Sequence, residues 1–163
     1  MCRHLAYLGP PVTLSAVLVD PPHSLYRQSW APRRQRYGTV NADGFGVGWY
    51  AEGDPLPARY RQAVPIWADP SFADVARVTR TRALLAAVRS ATEGTAPDAS
   101  AAAPYRHGRY LFSHNGAVTG WPKSTVELAA GLPADLLLDL ESRTDSALLW
   151  ALVRHRLAAG EPP

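Results

Sequence analysis

Residues 1–10 read Met1-Cys2-Arg3-His4-Leu5-Ala6-Tyr7-Leu8-Gly9-Pro10 (MCRHLAYLGP), and the chain's only cysteine stands directly behind the initiator methionine. From Cys2 to Leu8 the residues are strand-compatible, and Gly9-Pro10-Pro11 has turn chemistry. The stretch therefore predicts an N-terminal strand that starts at the cysteine and stops at Leu8. Removal of Met1, expected before so small a residue, would leave the Cys2 thiol and a free α-amine on one residue. The amine titrates near ~8 and the thiol near ~8.5. At neutral pH a minority of amines can therefore accept the thiol proton, with no separate histidine needed. Taken alone, Cys2 reads more readily as a small side chain without chemistry, so the rest of the sequence decides.

Composition narrows the class. At 163 residues and 47% hydrophobic content, one globular domain over 1–163 with a sizeable core is expected. A single cysteine excludes an intrachain disulfide framework and a cysteine-rich zinc site, which suits a reducing cytoplasm. No apolar run reaches the length of a membrane span, and the N-terminus lacks a signal-peptide pattern. The net charge of +3 is small, and Lys123 is the one lysine among 17 basic residues. The cluster Arg33, Arg34 and Arg36 thus reflects composition rather than a nucleic-acid footprint. The five histidines show no paired metal spacing, so no metal is expected.

Outward from the first strand, "PPHSLYRQSWAPRRQR" has no regular period and reads as a long loop. "GFGVGWYAE" and "PARYRQAVPIW" read as strands, with the glycines of the first marking close backbone packing rather than a phosphate site. "DPSFADVARVTR" reads as a helix with Phe72, Val75, Ala76 and Val78 clustered, packed on a central strand in "ALLAAVRSAT". "EGTAPDASAAAP" reads as a mobile, lid-like loop. "RYLFSHNGAV" reads as strand, turn and strand, with Asn115-Gly116 at the turn. "SRTDSALLWALVRHRLAAG" is a helix capped by Ser142 or Thr144, with Leu148, Leu149, Leu152, Val153 and Leu157 on one face and Gly160 as its stop. The architecture is α+β, with helices against stacked sheets.

Acyl transfer needs donors where negative charge develops. Asn115 offers a side-chain NH₂, and Gly116 a backbone N–H with nothing to block close approach. A plain hairpin turn is the competing reading. Arg89, at the end of an apolar strand, can clamp a carboxylate bidentately, and Asp145, in the first turn of the last helix, can hold an ammonium. Together they suit an α-amino acid head group. Singly, Arg89 fits a structural ion pair and Asp145 a residue favoured by the helix dipole. His114 reads as a support for its loop rather than a base.

The set "MCRHL", "NADGFGVGWY", "AAVRSAT", "FSHNG" and "RTDSA", in that order, resembles the class II glutamine amidotransferases of the N-terminal nucleophile hydrolase superfamily. In detail it is similar to the ergothioneine-biosynthesis branch, the γ-glutamyl-hercynylcysteine sulfoxide amidohydrolases. The resemblance runs from Met1 to about Leu157 and implies a four-layer αββα sandwich with Cys2 at the end of the first strand. It also implies roles: Cys2 as nucleophile with its amine as base, Asn115 and Gly116 as oxyanion hole, Arg89 on the α-carboxylate and Asp145 on the α-amine of a γ-glutamyl group. The implied reaction is hydrolysis of a small-molecule γ-glutamyl amide through a Cys2 thioester, without a cofactor. Rival readings are a glutaminase feeding a separate synthase, a hydrolase of glutathione-like compounds, and a scaffold without turnover. Aromatic and polar groups in "YRQSW" and "NADGFG" are candidates for the leaving-group side, since an aromatic face would suit a trimethylammonium group, with ordinary packing as the competing reading. Members of the family continue past the helix near Asp145, so a chain ending in "GEPP" is expected to lack C-terminal strands, leaving sheet edges uncovered.

Overall fold

The computed structural model describes residues 2–34, 40–91 and 98–162. Strand β1 (Arg3–Thr13) opens the chain and does not stop at Leu8. It pairs antiparallel with β4 (Arg80–Val88) from Arg3↔Val88 to Leu8↔Ala83, and again at Val12↔Thr81 and Thr13↔Arg80. Gly9-Pro10-Pro11 thus face one residue, Arg82, in an irregular bulge rather than ending the strand. Among the described residues four strands form one sheet in the order β1-β4-β2-β3, which makes β1 an edge. Prolines without an N–H are tolerated there because no ladder bond is owed on the outer side.

β2 (Phe45–Trp49) and β3 (Ala58–Gln62) form where the glycine-apolar alternation and "PARYRQ" predict them, and β4 lies in the interior of the sheet, between β1 and β2. Period-two alternation sorts their side chains. Phe45, Val47, Leu84, Ala86 and Val88 face a core closed by α1 (Leu14–Leu18), α2 (Leu25–Gln28) and α3 (Pro70–Val78). Fully burying each large side chain contributes about 1.5–3 kcal/mol. In α3, Phe72 and Ala76 reach this core while Val78, at the helix end, is exposed. Asp69 caps α3 by accepting from the amides of Ser71 and Phe72. The long loop expected after Asp20 contains α2. A single turn is too short to show a period, but Ser24 caps it by accepting from the Arg27 amide at 3.1 Å, and Leu25 is buried.

On the sheet's other face lies a two-stranded hairpin of β5 (Tyr105–His107) and β6 (Tyr110–Phe112). The two layers approach so closely that a Cβ on Gly46 would stand 2.2 Å from the Ala103 carbonyl oxygen, and one on Gly48 would stand 2.7 Å from Leu111. The packing expectation for "GFGVG" holds. The hairpin turn falls at His107-Gly108-Arg109-Tyr110, with Gly108 at φ +51°. Asn115-Gly116 is no hairpin turn: among the described residues no strand follows it, and Gly116 does not have positive φ.

Beyond the hairpin runs α6 (Asp145–Ala158), capped by Thr144, whose hydroxyl accepts from the Ala147 amide at 3.1 Å. Its buried residues are Ala147, Leu148, Trp150 and Ala151, not the single leucine-valine face predicted. The reason is that α6 is covered on two sides. Trp150 stacks on Phe112 at 5.0 Å against the hairpin, while Leu148 and Ala151 pack with Leu132, Leu136 and Leu137 around α4 (Val126–Ala130) and α5 (Ala134–Leu138).

Of the expected lid, 93–97 lies outside the described residues, as do Met1 and Arg36. The remainder, from Asp98, is a capped 3₁₀ turn over Ala99–Ala101, and Ala101 and Ala102 are buried. No helix among the described residues is long and apolar enough to cross a membrane.

Candidate active site

A cavity of about 1100 Å³ opens at the end of the four-stranded sheet where β1 begins and β4 ends. The register explains why. Arg3 and Phe45 both pair with Val88, so the residues just beyond, Cys2, Gly44 and Arg89, meet at one sheet end. The Arg89 amide donates to the Gly44 carbonyl at 2.8 Å, and the Cys2 thiol lies 3.6 Å from the Ser90 carbonyl oxygen. Cys2 and His4 share the face opposite the α1–α3 core and turn toward the hairpin side.

Cys2, Arg89, Asn115, Gly116 and Asp145, the five residues singled out from sequence, all line this cavity. Arg89 is only 6% exposed, and one guanidinium nitrogen donates to the Asp43 carbonyl at 3.1 Å. Asp43 accepts in turn from the Ala91 amide at 2.7 Å, which ties the end of β4 to the approach to β2. Such a guanidinium is held in place before any ligand arrives.

Asn115 and Gly116 are exposed on a loop that the first turn of α6 fixes. Asp145, the first residue of α6, accepts from the Val118 amide at 2.8 Å and from the Ser146 amide at 2.7 Å. The Ser146 hydroxyl pairs with His114 Nδ1 at 3.0 Å. The His114 ring lies so near Gly116 that a Cβ there would stand 2.7 Å from Nε2, so the glycine makes room for the ring. His114 supports its loop, as expected. Asp145 is a helix-start residue that also lines the cavity.

Sequence reasoning passed over His4, Ser113, Ser146, Arg143, Thr144, Tyr105 and Trp121. His4 Nδ1 and the Ser113 hydroxyl are hydrogen-bonded to each other. Burial, and then the neighbouring His114, hold the His4 imidazole below its ordinary value of 6.5 and so favour the neutral ring. Tyr105, Ser142 and Thr144 form a buried hydroxyl cluster with contacts of 3.0–3.2 Å beneath the start of α6. Their places in "MCRHL", "FSHNG" and "RTDSA", and the cap reading of Thr144, were the signals the sequence carried for His4, Ser113, Arg143, Thr144 and Ser146. Of the two readings of "YRQSW" and "NADGFG", their aromatics follow the packing one and do not line the cavity: Tyr26 packs edge-on against Trp30, Trp30 against Trp67, and Phe45 is core. Among the described residues no cluster of His, Cys, Asp and Glu could hold a metal ion.

The fold has a solved counterpart. A glutamine aminotransferase class-II domain protein from Silicibacter pomeroyi superposes with a TM-score of 0.63 at 22% identity, over 98% of this chain and 59% of that one. The sequence pattern described as glutamine amidotransferases class-II matches residues 14–132. The chain belongs to that family. Its relatives include a gamma-glutamyl-hercynylcysteine sulfoxide hydrolase of Mycolicibacterium smegmatis, 48% identical over 136 residues, which are 79% of this chain and 60% of the relative. A protein of the same name in Mycobacterium tuberculosis is 45% identical over 153 residues, 94% of this chain and 60% of the relative. The chain thus spans about 60% of the length of these curated relatives.

Proposed function

We propose that this chain hydrolyses the γ-glutamyl amide of γ-glutamyl-hercynylcysteine sulfoxide, releasing glutamate and hercynylcysteine sulfoxide. The observation that carries the reading is the convergence of Cys2, Arg89, Asn115, Gly116 and Asp145 on one cavity from both ends of the sequence. Relatives at 45–48% identity bear the name of that activity. The finer fold reading is a four-layer sandwich within one domain over 1–163, supported by the sequence of α1–α3, sheet, hairpin and α6.

With Met1 removed, the Cys2 α-amine takes the thiol proton and the thiolate adds to the γ-carbonyl carbon. The resulting oxyanion accepts from the Asn115 side-chain amide and the Gly116 N–H. The C–N bond breaks as the protonated amine returns its proton to the leaving nitrogen, forming a γ-glutamyl thioester. Water, deprotonated by the same amine, then cleaves the thioester and regenerates the thiol. Arg89 holds the α-carboxylate and Asp145 the α-ammonium throughout. These steps need no cofactor, and a reducing cytoplasm suits the free thiol.

The family's description favours one second reading, a glutaminase that supplies ammonia to a separate synthase. Glutamate release from the hercynyl conjugate, glutamine and glutathione in parallel decides between them. The conjugate is expected to give the highest kcat/KM; glutamine turning over fastest, with none from the conjugate, refutes the hydrolase reading. Intact mass is expected to show loss of Met1, and Cys2→Ala is expected to abolish turnover.

A further inference from the structure

Resting on that reading, we infer that Arg143 binds the α-carboxylate of the leaving group, so that the cavity selects γ-glutamyl amides of α-amino acids over glutamine. The γ-glutamyl head brings one carboxylate and one ammonium, which Arg89 and Asp145 match. Among the described lining residues that leaves one permanent cation over, Arg143. It is exposed and makes no hydrogen bond or ion pair among the described residues.

The backbone beneath it is pinned. Glu141 pairs with Arg59 at 2.8 Å and Arg61 at 2.7 Å, the hydroxyls of Ser142 and Thr144 bond Tyr105, and Asp145 holds the Val118 amide. Each neighbour in this stretch is tied to the scaffold while the Arg143 side chain faces the cavity. A rigid base under an uncommitted guanidinium lowers the cost of ordering it on a ligand.

The chemistry of the leaving nitrogen supplies the partner. In a γ-glutamyl amino acid the scissile nitrogen is bonded to a carbon that carries a carboxylate, so the second negative charge lies close to the reacting bond. Glutamine releases ammonia and has no such group. A cavity of about 1100 Å³ also accommodates a drug-sized ligand, far more than a glutamyl head needs.

Two measurements on the full chain test this. The first is hydrolysis of γ-glutamylcysteine, its C-terminal carboxamide and glutamine by the parent, Arg143→Ala and Arg143→Lys. Arg143→Ala is expected to lower kcat/KM for γ-glutamylcysteine about 10- to 100-fold, as for loss of a charge-assisted hydrogen bond. The other two substrates should change less than about 2-fold, and Lys should restore part of the loss. The second is binding of γ-glutamylcysteine and its carboxamide to Cys2→Ala protein, with and without Arg143→Ala, which needs no turnover. Arg143-dependent binding without hydrolysis of γ-glutamylcysteine by the parent would uphold the inference, while glutamate release from the hercynyl conjugate separately decides the proposed activity. Hydrolysis with no preference for the carboxylate, equal losses on all three substrates, or no binding of either ligand would overturn the inference.

Discussion

His4 sits one residue from the sheet end, bonded to Ser113 and beside His114, and its buried ring favours the neutral form. Its folded pKa lies below the ordinary 6.5, so in the window beneath 6.5 the unfolded chain binds a proton that the folded chain refuses. Stability is therefore full above that window and falls as pH drops through it. Thermal melts from pH 7 to pH 5 are expected to show a steeper loss for the parent than for His4→Gln; parallel slopes would contradict this account. At this scale the sequence was unevenly legible. Cys2, Asn115 and Gly116 could be chosen because each offers a chemistry that acyl transfer uses, and Arg89 and Asp145 because their charges complement an α-amino acid head group. Arg143 and His4 were not, because the cavity that Arg143 lines and the burial of His4 arise only on folding.

At the scale of elements, the glycines of β2 set the distance between the sheet and the hairpin. A Cβ on Gly46 meets backbone, the Ala103 carbonyl, whereas one on Gly48 meets the flexible end of Leu111. Gly46→Ala is therefore expected to cost about 3 kcal/mol or more and Gly48→Ala about 1 kcal/mol, read from urea midpoints at constant slope. Equal costs would mean that the layers separate freely. Elements with a full period or a clean alternation, β2, β3, α3 and α6, were legible. The single-turn α2 was not, because four residues show no period. Nor was the passage of β1 through Gly9-Pro10-Pro11, since only its place at the sheet edge excuses the prolines. Asn115-Gly116 misled for a related reason: the dipeptide signals a hairpin, but the pairing that makes one belongs to Tyr105–Phe112.

Across the whole molecule, Glu141 joins the sheet to the segment that leads into α6. Its carboxylate takes Arg59 and Arg61 from β3, and the Arg106 amide from β5 donates to it at 3.3 Å. Burial raises its pKa, but the two guanidiniums outweigh that and hold the carboxyl below its usual range. Glu141→Ala is expected to lower stability by about 2 kcal/mol, less than a fully buried pair because the groups retain some solvent contact. It should also raise KM, as Asp145 loses its fixed approach; an unchanged melting temperature would show the tie to be idle. The sequence by itself determined the chemistry on offer, a lone cysteine behind Met1, an amide side chain and a glycine N–H able to donate, and a complementary pair of charges, because residue type sets reactivity. Only the tertiary structure decided that these meet. Antiparallel register brings Cys2 beside Arg89, and the packing of α6 on the hairpin carries Asp145 to the Asn115 loop. Contacts between residues so far apart in the chain arise from sheet pairing and core packing, which no local pattern encodes.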